Sequence, residues 1–141
     1  MDIHTMLNEI RKSADMGVVG IEAVEQKTAQ PLLRTTLGEQ KQEYNEIYNR
    51  ADCLLMAKGG QRQNISPLAK RAAKMASDMK LMMGKSDSRI AEMMVEGNTK
   101  GMIKSYQNIR AMDRTDAETM ALSRKLLDTE LHNIEQMKKF L

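Results

Sequence analysis

The chain has 141 residues, 41% of them apolar and 29% charged, with a net charge of +3. That length suits one domain with a real core, spanning residues 1–141, and this composition with a mean hydropathy of −0.54 excludes a membrane protein and does not suggest disorder. Fourteen Met against three Tyr, one Phe and no Trp argue against a sheet protein.

Ile3, Leu7, Ile10, Ala14, Gly17, Ile21, Val24 and Thr28 alternate four and three apart, the seam of a packed first helix with Asp2 as N-cap. Gly17 and Gly20 cost this helix propensity and point to close approach by the backbone of a neighbouring helix. Gln30-Pro31 ends it and starts a second helix, because proline disfavours α geometry just before itself and suits a first turn. Leu33, Leu37, Gln40, Tyr44, Ile47, Ala51 and Leu54 form the second seam, and Gly59-Gly60 stops it. The tight turn makes the pair antiparallel.

A polar stretch leads to Pro67 and a shorter third helix with Ile65, Leu68, Ala72, Met75, Met79 and Met82 on one face. After Gly84, the run Lys85-Ser86-Asp87-Ser88 supplies a fresh N-cap. The fourth helix then places Ala91, Val95, Thr99, Met102, Tyr106 and Ile109 on its seam, with Gly97 and Gly101 weakening its middle. Thr115-Asp116-Ala117-Glu118 reads as a capping box for the last helix, whose seam is Met120, Leu127, Leu131, Ile134 and Leu141.

Long, long, short, long, long is the order of an all-α protein made of two hairpins and a crossover that carries its own helix. In helix order and length it resembles the ferritin-like superfamily, closest to the small bacterial bundles of that group. The resemblance implies an up-down four-helix bundle with an extra helix between the second and third bundle helices. It also raises the question of a dinuclear metal site, built from a Glu on each of two helices and Glu-x-x-His on each of the others.

That motif is missing on every helix. Ala14, Gly17 and Ile21 occupy the first seam. Gln40-x-x-Glu43 has the phase of the motif but the wrong residues. Thr129 stands three before His132, which lies roughly 140° from the Leu127 direction at 100° per residue. Glu130 is nearer the core but is followed three residues later by Asn133. No metal and no cofactor are therefore expected, with Glu43, Glu130 and His132 as the weak candidates for an atypical metal site. His4 and His132 read as surface histidines. Gln40 and Tyr44, consecutive on a seam, are the expected buried polar core, with Tyr106 a candidate to join them across the bundle.

The spacing of Met75, Met79 and Met82 reads as a core or interface stripe rather than a copper site, and Met82-Met83 would leave apolar surface uncovered on a monomer. Cys53, beside Leu54 and Leu55, reads as a small buried hydrophobe. Between Arg62 and Lys85 six basic residues face only Asp78, a solvated face without aromatic interleaving, so nucleic acid is not the expected partner. No phosphate loop, Cys-x-x-Cys, His-Glu-x-x-His or nucleophile elbow occurs. No apolar run reaches about 18 residues, no secretory signal opens the chain, and a lone thiol fits a reducing compartment. A cytoplasmic, non-enzymatic protein is expected, with a structural or protein-interaction role and self-association as a dimer. The alternative is a metal-binding or oxidative-stress protein with an atypical ferritin-like site.

Overall fold

The computed structural model describes residues 1–82, 84, 86–113 and 116–141. These form five helices: α1 (Ile3–Val24), α2 (Pro31–Ala57), α3 (Pro67–Met82), α4 (Asp87–Ala111) and α5 (Ala117–Lys138). Their limits follow local chemistry. Asp2 accepts from the Thr5 N–H at 2.7 Å and Ser86 Oγ from the Arg89 N–H at 3.1 Å, each satisfying an orphan donor of a first turn. Pro31 opens α2 behind Gln30, and Gly59 closes it at φ 73°, a conformation that costs a side chain dearly. The expected capping box falls on Thr115, outside the described residues; Asp116 takes the N-cap place and accepts from Thr119 Oγ1.

Contacts along the chain give the directions. Gln40 meets Gln136 and Tyr44 meets Glu130, so α2 and α5 are antiparallel. Glu9 meets Lys104 and Gly20 lies near Met94, so α1 and α4 are antiparallel too. With α1–α2 and α4–α5 as hairpins, α2 and α4 run the same way, and only a long crossover can connect them. The fold is thus an all-α four-helix bundle of two hairpins joined by one long crossover, with α3 as an extra helix in that crossover. Lys70 to Asp15, at 2.7 Å, ties α3 to α1.

The seams of α1 and α2 lie where the periodicity places them, with Leu7, Ile10, Ala14, Ile21, Leu33, Leu37, Ile47 and Ala51 all buried. Leu55 is fully buried and Leu54 half-buried, so α2 ends slightly rotated from expectation. The other three helices differ more. On α3 the expected apolar face points outward: Leu68, Met75, Met79 and Met82 are 77%, 64%, 68% and 83% exposed, and Leu81 alone is buried. Met83 lies outside the described residues.

On α4 the inner row is Ile90, Ala91, Met94, Asn98 and Ser105, leaving Tyr106 exposed and unable to join a core network. On α5 it is Ser123, Leu126, Glu130, Asn133 and Met137, while Leu131 and Leu141 are exposed. The physical reason is shared by these two. On α4 and α5 the polar Asn98, Ser105, Ser123, Glu130 and Asn133 share the inner face with Ile90, Met94, Leu126 and Met137. A pattern of apolar residues alone therefore misjudges how each helix is rotated, although Ala91, Met120 and Leu127 are buried as expected. Cys53 is likewise exposed rather than buried, because α2 presents Leu55 and Ala51 inward.

Gly17 has a close neighbour, but it is a side chain and not the backbone of a helix. A Cβ built there would stand 2.6 Å from the Tyr44 ring, whereas at Gly97 it would meet open space. Gly17→Ala is therefore expected to destabilise by roughly 1–3 kcal/mol through overpacking. Gly97→Ala should instead stabilise by up to about 1 kcal/mol through helix propensity alone. Opposite shifts of the urea midpoints check the pair; equal shifts would contradict the close packing of Tyr44.

Candidate functional site

Three walls of small residues leave a cleft beside the bundle axis. Gly17 and Gly20 on α1, Gly97 and Gly101 on α4, and Ala69, Ala73 and Ala76 on α3 all line it. With so little side chain between these helices, a volume of about 580 Å³ remains. Met16, Val19, Ile21, Met93 and Met94 make its walls apolar, while Lys12, Lys80, Lys100 and Lys104 also line it.

Tyr44 from α2 and Glu130 from α5 reach this cleft from the far helices. Both are buried, at 3% exposure. Two glycines admit them: Gly17 makes room for the Tyr44 ring, and a Cβ at Gly101 would stand 2.7 Å from the Glu130 carboxyl. The Tyr44 hydroxyl lies 2.8 Å from Glu130 Oε2 and 2.8 Å from Asn98 Oδ1. The Asn98 amide nitrogen donates to Met94 O at 2.8 Å, and Asn133 Nδ2 donates to Asn98 Oδ1 at 3.3 Å.

One hydroxyl proton serves one acceptor, so two acceptor oxygens around Tyr44 need a second proton. Protonated Glu130 supplies it, donating to Tyr44 Oη while Tyr44 donates to Asn98. The electrostatics agree: burial pushes the Glu130 carboxyl up to about 7, against a smaller lowering by the Tyr44 hydrogen bond. Burial, together with the neighbouring Glu130, drives the Tyr44 phenol well above its ordinary range, so it stays a neutral hydroxyl.

Gln40 is buried at 2% exposure and donates to Gln136 Oε1 at 2.9 Å. Its own Oε1 and the Asn133 Oδ1 are buried without a partner. Gln40 and Tyr44 thus sit side by side in the core, and Glu130 joins Tyr44. Glu43 is half-buried at the edge, accepting from Thr129 Oγ1 at 3.0 Å with Lys125 at 3.8 Å. His132 is exposed, and His4 is exposed with its Nε2 2.8 Å from Lys58 O. Among the described residues no three of His, Cys, Asp and Glu converge to hold a metal ion.

A second polar cluster is centred on Arg11, only 1% exposed. Its guanidinium donates to Asp52 at 3.0 Å, Asn8 at 3.0 Å, Tyr48 at 2.9 Å and Asn64 at 2.8 Å, and stacks 5.0 Å from the Tyr48 ring centre. Asn8 also holds Gln61 O and the Gln63 N–H. Together they pin the segment between α2 and α3 to α1. Asp52 stays below the usual carboxylate range, chiefly through the Arg62 guanidinium. Arg11 was missed because a charge on a seam reads as a break, although it stands four after Leu7 and three before Ala14. Asn98 was missed in the same way, four after Met94. The basic segment is partly neutralised within the chain, Arg62 by Asp52, Lys70 by Asp15 and Lys80 by Glu96.

Searches of protein-family models and of curated proteins returned no match. Among solved structures the chain is similar to the crystal structure of a DUF305 fragment from Deinococcus radiodurans, with a TM-score of 0.74 and 12% identity. The likeness covers 97% of this chain and 93% of that one. At that identity it concerns the fold: a helical bundle of the same architecture over almost the whole chain. No helix of the described residues is long and apolar enough to cross a membrane.

Proposed function

We propose that this chain is a non-enzymatic, cytoplasmic interaction protein, a single ferritin-like domain that pairs with a second copy through the outer face of α3. The observation that carries the reading is the exposure of Leu68, Met75, Met79 and Met82, all the large apolar residues of that helix but Leu81. With Ala72 they repeat four, three, four, three, the a/d spacing of a coiled-coil seam. A helix that turns its Ala side to its own bundle and its Met side to water leaves its apolar seam for another surface. Methionine suits such a contact because it adapts to the shape of what it meets.

A second copy fits this seam in charge as well. Arg71 and Asp78 flank it on one side, seven residues apart, so antiparallel pairing sets Arg71 of one copy against Asp78 of the other, which also holds Lys27 of its own chain at 2.7 Å. Sedimentation equilibrium from micromolar to near-millimolar protein is the test. A concentration-dependent dimer is expected, and the double variant Met75→Lys, Met79→Lys should remain monomeric with unchanged helix content. A wild-type chain that stays monomeric throughout, or a dimer that survives both lysines, would overturn the reading.

A further inference from the structure

We infer that the cleft between α1, α3 and α4 is a binding site for a small primary monoamine, its apolar chain against Met16, Met93 and Met94 and its ammonium on Glu130. The cleft lies on the inner side of α3, so the inference is independent of the pairing proposed for the outer side.

The floor asks for a donor. Glu130 is 97% buried and lines the cleft, and its Oε2 is engaged by Tyr44. No side chain among the described residues donates to Oε1. No lysine or arginine of the described residues forms an ion pair with this carboxylate, although ion pairs hold most of the other partly buried acids. A buried carboxylate without a countercharge is costly, and an incoming ammonium brings that countercharge together with up to three N–H donors. Tyr44, itself bonded to Asn98, occupies Oε2, while Oε1 lies on the Gly101 side of the cleft, where the missing Cβ leaves room beside it.

The walls and rim set the rest of the ligand. Methionine, valine and isoleucine side chains favour a hydrocarbon chain, and three lines of Gly and Ala leave the space for it. Lys80 is paired with Glu96, and Lys12 and Lys104 both lie within ion-pair distance of Glu9. Lys100 has no carboxylate within ion-pair distance among the described residues. Glu96 also lines the cleft, but with Lys12, Lys80, Lys100 and Lys104 around it the rim stays net positive and repels a second ammonium at the far end of the ligand. A carboxylate there would be welcomed. The class is therefore a monoamine or an ω-amino acid, and not a diamine.

The methionines are built-in reporters. With methyl-labelled Met in the full chain at pH 8, hexylamine and 6-aminohexanoate are each titrated against 1,6-diaminohexane, hexanol and hexanoate. Saturable shifts of the Met16, Met93 and Met94 methyls are expected with the two monoamines, while Met75 and Met79 stay unmoved. The diamine should bind at least tenfold more weakly, and hexanol and hexanoate weaker still. Glu130→Gln should lose at least tenfold in monoamine affinity while remaining folded. Ala73→Leu, which fills the cleft from α3 and leaves Glu130 untouched, should lose binding as well. Hexanoate or hexanol binding as well as hexylamine, monoamine binding indifferent to Glu130→Gln, or no saturable shift with either monoamine would each overturn the inference.

Discussion

Glu130→Gln should make this protein more stable at pH 8, the reverse of what removing a buried charged residue usually does. In the folded chain the Glu130 carboxyl is pushed up to about 7 from an ordinary 4.5 by burial. The folded state therefore holds this proton more tightly than the unfolded one. Below about pH 4.5 both states are protonated and the contribution to stability is complete. Between there and about pH 7 the unfolded chain ionises first, and stability falls as pH rises. Above that range the loss levels off at roughly 3 kcal/mol, the value of such a shift by proton linkage.

Glutamine avoids this loss. Its Nε2 can donate to Tyr44 Oη as the protonated acid does, leaving Tyr44 to donate to Asn98, so the hydrogen-bond chain survives without a buried charge. Urea unfolding of both proteins at pH 5, 6, 7 and 8 would decide the matter. The wild-type curve should descend relative to the variant, with the gap opening between pH 5 and 7. The lowered carboxyls of Asp52, Asp78 and Asp116 titrate below that window and leave it clear. Two parallel profiles would show that Glu130 is not carried as a neutral acid.

Arg11→Met is the counterpart, expected to cost about 3–5 kcal/mol, as removal of one partner from a buried charged network does. The methionine keeps the length of the stem. It offers nothing, however, to the Asn64 and Tyr48 oxygens that the guanidinium satisfies at 2.8 and 2.9 Å. Asp52 keeps Arg62 at 2.8 and 2.9 Å, so the loss falls on the buried side of the network. Arg62→Met, which removes the exposed cation instead, should cost only a small fraction of that. Amide exchange adds a local reading: in Arg11→Met the protection of the Gln63 N–H, held by Asn8 at 2.9 Å, should fall before that of α5. Uniform loss across the chain would mean that Arg11 supports the bundle as a whole rather than the crossover.

Both experiments concern polar groups inside the bundle, where reading the sequence is weakest. Gln40 and Tyr44 are noticeable because they interrupt an otherwise strong seam of Leu, Ile and Ala. Glu130 reads from the sequence only as half of a metal motif, and the Tyr44 it bonds and the Asn98 beyond that stand 86 and 32 residues away in the chain. Gly101 reads in the sequence only as a weak point in α4, with no sign of the carboxyl it admits. Pairings of this kind depend on how two helices are rotated about their axes, and at 100° per residue a single residue's error turns a wall into a surface.

The sequence by itself determined the helices and their order. Asp2, Pro31, Gly59 and Ser86 set helix limits through dihedral preferences and orphan backbone groups that act within a few residues. Short turns inside each pair and a long connection between pairs then leave little besides a bundle of two hairpins. The tertiary structure alone decided which faces of α3, α4 and α5 turn inward. On α4 and α5 the inner face mixes Ile90, Met94, Leu126 and Met137 with Asn98, Ser105, Ser123, Glu130 and Asn133, and Gly and Ala line the cleft beside them. The polar and small residues carry no periodic apolar signal, and the cleft over Glu130 exists because Gly and Ala do not fill the space that larger side chains would have taken.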